Sequence, residues 1–169
     1  MAETFRKLSL QCLAPGGLYR MAYLEWGDAH NPRVLERMFA GNLLDKGSID
    51  MRSRELIILR TCARCGSEYE WGVHVALFAK HAALSEADIA ATLGNEQGSL
   101  SIQETLLIKA VDELHDTSTI SDSLWSGLAL HYSSAQIIEV IALVGSYHAI
   151  SFMTNASGVE LESFAPRFS

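Results

Sequence analysis

Apolar positions along this chain recur at helical spacing, and no run alternates cleanly at period two, so no sheet is expected. Seven helices are predicted, near 32–40, 51–65, 68–82, 86–93, 102–115, 122–131 and 135–156. Their starts carry local signals. Asn31-Pro32 pairs a cap with a proline at the first helical position. Asp50 can cap the helix through "RELIILRTCAR", which should stop near Gly66. Capping boxes are expected at Ser67 with Glu70, Ser85 with Asp88, Ser101 with Glu104, Thr119 with Asp122, and Ser133 with Gln136. "GNEQGSLS" reads as a loop, and the first thirty residues are ambiguous.

The segment "AQIIEVIALVGSYHAISFMTNA" is apolar almost all round. Such a helix is buried on most sides. One small domain can hardly cover that much apolar surface, which points to a second subunit. The tail "VELESFAPRFS" should dock on a neighbouring surface or fray.

With 169 residues the chain is expected to form one domain, with a core near 32–157, an N-terminal extension over 1–30 and a tail over 158–169. A net charge of −7 makes nucleic acid and anionic membrane surfaces poor partners. The apolar runs "LIIL" and "VIALV" are far too short to span a bilayer, and the start has no signal-peptide stretch. Three cysteines, two of them close together, make no disulfide framework. The expected setting is a reducing cytoplasm.

The chemistry concentrates in "CARCGSEYEWGVH", from Cys62 to His74. Cys62 and Cys65 lie one helical turn apart, but they close a helix. There the backbone field disfavours thiolate, and Arg60 and Arg64 offset this only in part. Glu70 and His74 share a helix face, with His81 about one turn on. That gives two well-placed ligands at most, with His148 a conceivable third, so no metal is expected. Proton transfer remains. A carboxylate can orient an imidazole and stabilise its charged form. Glu55, standing before Leu56-Ile57-Ile58-Leu59, should be partly buried with a raised pKa. Bland alternatives stay open: Glu70 as a capping partner, Glu55 paired with Arg52, and His74 as a satisfied core histidine.

The stretch "RSRELIILRTCARCGSEYEWGVHVALFAKHAALSEADIAATL" resembles the carboxymuconolactone decarboxylase family, also called AhpD-like. The similarity continues more loosely through "ISDSLWSGL" and "VGSYHAISFMTNASGVELE". The resemblance implies an all-helical fold assembling into trimers or hexamers. The family's peroxide-defence members carry a Glu, a Cys-x-x-Cys and a His four residues after the second cysteine. Laid onto this chain, those positions are Glu55, Ser67, Glu70 and His74, so both thiols are replaced. The decarboxylase members act on a cyclic lactone acid and need no metal or organic cofactor.

The expectation is a cofactor-free acid–base enzyme acting on a small organic acid or lactone. His74 is the general acid/base, Glu70 orients it, and Glu55 is a second protonatable group. Tyr69, Trp71, Tyr147 and Ser67 are candidates for the pocket, and Arg52 for holding a substrate carboxylate. A thiol peroxidase using Cys62 and Cys65, and a non-catalytic oligomeric binding protein, are the alternatives.

Overall fold

The computed structural model describes residues 33–34, 43–94 and 100–168. The predicted helix over 32–40 falls almost wholly outside them, as do the N-terminal extension and most of the 94–101 loop; residues 33–34 are helical. The chain forms two compact units, 1–47 and 48–169. The described part of the first is that helical pair and an irregular stretch over 43–47. All that follows concerns the second.

The described residues of this unit hold six helices and no strand: α1 (Met51–Arg64), α2 (Glu68–Phe78), α3 (Glu86–Thr92), α4 (Ile102–Thr117), α5 (Asp122–Ala129) and α6 (Ser134–Ser157). The all-helical expectation holds, with ends within about two residues of the predicted ones at every helix but α2. Asp50 caps α1, accepting from the Ser53 backbone N–H at 2.9 Å. Capping boxes form at Ser85, Ser101 and Ser133.

Two boxes do not form as expected. The cap of α5 is Ser121 rather than Thr119. Ser67 starts α2 without a side-chain cap. Its hydroxyl instead meets Thr154 Oγ1 on α6 at 3.0 Å, a tertiary partner that local spacing does not reveal.

α1 is the central helix, packing against α2, α3, α4 and α6. Four successive residues, Leu56 to Leu59, are at most 1% exposed, so every face of its middle is covered. Its end is a Schellman closure: Gly66, at φ +62°, donates to Ala63 O, and the next N–H, from Ser67, donates to Cys62 O. α1 and α4 lie parallel. Arg52 reaches Glu104, Arg60 reaches Asp112 and Arg64 reaches Asp116, each across 52 residues. A constant offset over three turns requires parallel axes in matched register.

α2 stops short of its predicted end at 82. The chain leaves the helix after Phe78 and turns at Ala83, which has φ 52°. The turn is closed by Leu84 N–H on Ala79 O, and the Arg52 guanidinium donates to Ala83 O at 2.6 Å.

α6 contributes Ile137, Val140, Leu143, Val144 and Tyr147 to the core and packs against α1, α2, α4 and α5. Taken whole, it is long and apolar enough by length and composition to cross a membrane, which its short apolar runs do not show. It packs against four helices of this unit, which bury 33% of its apolar window. The tail returns to α2. Phe168 stacks edge-on to Trp71 at 5.3 Å, and its N–H donates to Glu68 Oε1 at 2.7 Å.

Candidate functional site

The residues converge on one ring. α1 brings Glu55, α2 brings His74 and α6 brings Tyr147, all at most 2% exposed. His74 Nδ1 lies 2.7 Å from Glu55 Oε2, and Tyr147 Oη lies 3.0 Å from His74 Nε2. The tyrosine ring stands edge-on to the imidazole at 5.2 Å, and Phe78 flanks it at 5.0 Å. The other Glu55 oxygen accepts from Arg54 Nε at 3.0 Å and Nη2 at 2.9 Å. The line therefore runs Arg54, Glu55, His74, Tyr147.

Burial sets the charges. It pushes the Glu55 carboxyl up to about 7, against the pull of the Arg54 cation and its hydrogen bond. Burial pushes His74 down to about 3, so the resting ring is neutral at physiological pH. With a carboxylate on Glu55, the consistent pattern is Nδ1–H donating to Glu55 and a bare Nε2 accepting from the Tyr147 hydroxyl.

Glu70 stands apart. It is 2% exposed, but no hydrogen bond joins it to Glu55 or His74 among the described residues. The spacing of four does place Glu70 and His74 on one side of α2. The ring, however, turns to α1 and α6, and both its nitrogens are taken there. Glu70 therefore does not orient His74, contrary to expectation. Burial pushes its carboxyl up to about 8, leaving it mainly protonated at neutral pH.

Arg52 is also elsewhere. It pairs with Asp88 at 3.1 Å and Glu104 at 2.5 Å, tying α1 to the starts of α3 and α4 rather than to Glu55. Trp71 donates its indole N–H to Thr92 Oγ1 at 3.0 Å, and Tyr69 is buried. Ser67 is held by Thr154. Cys62 and Cys65 are free thiols, and burial pushes both up, Cys62 strongly.

Arg54 was not foreseen as a partner of Glu55. Adjacent helix residues do not normally face each other, and only the length of the arginine lets its head curl back. Tyr147 was expected as a pocket wall able to donate a hydrogen bond, and its hydroxyl sits on His74 Nε2.

Residues 31–97 match the model of the carboxymuconolactone decarboxylase family, a span that contains Glu55 and His74. Two solved structures share the fold. An Agrobacterium tumefaciens protein of unknown function, provisionally assigned to AhpD antioxidant defence, superposes with a TM-score of 0.73 at 20% identity, over 81% of this chain and 95% of that one. The alkylhydroperoxidase AhpD core of a peroxidase-related protein from Ralstonia eutropha JMP134 gives 0.69 at 15% identity, over 86% and 77%. A stretch of 26 residues is 69% identical to a 3-hydroxybutyrate-oligomer hydrolase of Cupriavidus necator, covering 15% of this chain and only 9% of that protein. The carboxymuconolactone decarboxylase match thus covers residues 31–97, and the fold is that of the AhpD-like structures.

Proposed function

We propose that the protein is an acid–base enzyme of the decarboxylase or lyase type, acting on a small organic acid or lactone without a cofactor. The observation that carries this reading is the buried Glu55–His74–Tyr147 chain, in which each polar atom has a defined partner. Tyr147 is its terminal group, and His74 acts through it. In the base direction, the phenol oxygen takes a proton from substrate as its own proton passes to Nε2. The imidazolium so formed sits against the Glu55 carboxylate, which offsets the cost of a buried charge. In the acid direction the two transfers reverse. For decarboxylation, the bond to the carboxylate carbon breaks and its electron pair enters the conjugated ring system. The proton from Tyr147 then closes the new C–H bond.

A panel of carboxylated lactones and β-keto acids, followed by release of carbon dioxide, tests this reading. Turnover of one such compound by the wild type, lost in Tyr147→Phe, is the expected result. Turnover that survives in that variant contradicts it.

We also propose a homo-oligomer, a trimer or hexamer as the family resemblance implies, in a reducing cytoplasm that suits two free cysteines. Ile138, Ala142, Gly145, Ala149 and Phe152 form one exposed stripe along α6. Small residues there let a second helix approach closely. Light scattering of the full chain should give a multiple of 18.5 kDa, and a monomer mass contradicts it.

A further inference from the structure

A second constellation lies where α1 ends beside α4 and α6. Cys65 Sγ is 3.9 Å from His115 Nδ1, and His115 Nδ1 is 3.0 Å from His148 Nε2. All three ligand atoms lie within 4.8 Å of one another, on half-buried side chains. It is distinct from the relay at Tyr147, because successive residues on α6 point about 100° apart.

The tautomers fit a metal ion. His148 Nδ1 is 2.9 Å from Val144 O and must donate to it, which leaves Nε2 as the ring nitrogen that can carry a lone pair. That outer hydrogen bond fixes the ring as it does in metal-ligating histidines. A second nitrogen aimed at this lone pair from 3.0 Å needs a cation between them or a proton on one. A tetrahedral zinc ion with Zn–N of about 2.05 Å and Zn–S of about 2.3 Å requires N···N near 3.3 Å and S···N near 3.6 Å. The observed 3.0 and 3.9 Å fall about 0.3 Å to either side. Ser151 adds an independent sign. Its hydroxyl is fully buried and lies beside both thiols, placed to donate to a thiolate. Arg64, the nearby cation, is neutralised by Asp112 and Asp116.

We propose that Cys65, His115 and His148 bind a zinc-class divalent ion, three protein ligands with a fourth position open to an exchangeable ligand. One thiolate with two imidazoles suits a borderline-soft metal rather than calcium or magnesium. The ion pins the end of α1 to α4 and α6.

Cobalt(II) is the probe. Added to the chelator-stripped full chain, it should bind one per protomer, with a near-ultraviolet thiolate charge-transfer band and intensified visible bands. Cys65→Ser should abolish the charge-transfer band, Cys62→Ser should keep it, and His115→Ala or His148→Ala should weaken binding by about 100-fold or more. Zinc should also protect Cys65 of the wild type from alkylation, a measurement independent of whether variants fold. No stoichiometric binding of either ion at about 100 μM, a band that persists in Cys65→Ser, or unprotected alkylation would overturn the assignment.

Discussion

Tyr147 Oη stands 3.0 Å from His74 Nε2 and so occupies the ring nitrogen that a general base would turn toward substrate. With Glu55 on Nδ1, the imidazole is held at both ends and fully buried. In the proposed reaction the ring is an internal proton carrier, and the phenol is the group that meets substrate. This relation also fixes the tautomer. Nitrogen-15 NMR of the imidazole should show a neutral ring protonated at Nδ1 at pH 8, where Glu55 is a carboxylate. An imidazolium at pH 7, or a proton on Nε2, would refute the arrangement.

Stability should fall as pH rises from 6.5 to 8. Glu55 and Glu70 are raised from 4.5 to about 7 and about 8, so the folded chain holds protons that the unfolded chain has lost. Their contribution is full below 4.5 and disappears as pH climbs through the folded values. His74 is shifted the other way, from 6.5 to about 3, and its contribution is already complete above 6.5. Only the carboxyls vary in that window. Glu70→Gln, which cannot ionise, should flatten the decline by about 2 kcal/mol, read from denaturant unfolding at the two pH values. An unchanged slope in the variant would show that Glu70 is ionised in the fold.

Arg52 is a structural tie, not a substrate clamp. Its guanidinium meets Asp88, Glu104 and Ala83 O, and the side chain is 29% exposed. Arg52→Ala should lower stability by about 1–2 kcal/mol, with solvent screening keeping the loss modest. The KM of the folded variant should not move. A large rise in KM with unchanged melting would place Arg52 at the substrate instead.

Gly72 seats the C-terminal tail. A Cβ there would lie 2.5 Å from Pro166 O and 3.2 Å from Ala165 Cβ, a clash with backbone that cannot swing aside. Gly72→Ala should push the tail off α2, costing about 1–3 kcal/mol and exposing the chain after Gly158 to limited proteolysis. Wild-type resistance to cleavage in the variant would mean that the tail does not depend on this contact.

What the sequence revealed follows the range of each interaction. Asp50, Ser85, Ser101 and Ser133 cap helices through partners three residues away, and these were legible. Ser67 carries the same local pattern, but Thr154, 87 residues on, competes for its hydroxyl. The approach of Glu55 to His74 came from resemblance rather than periodicity. Tyr147 lies 73 residues from His74, and spacing could not assign it to Nε2. Cys65, His115 and His148 were scattered over three helices, with nothing in the sequence around His115 to single it out.

Turnover by Glu55→Gln and Tyr147→Phe is the most direct measurement of the central claim. Both variants keep the shape of the parent side chain; Tyr147→Phe removes the group that carries the proton, and Glu55→Gln removes the charge that stabilises the imidazolium. The account predicts a fall in kcat of about 10²–10⁴-fold in each on the lactone or keto acid that the wild type converts, with melting little changed. Wild-type kcat in either folded variant would contradict it.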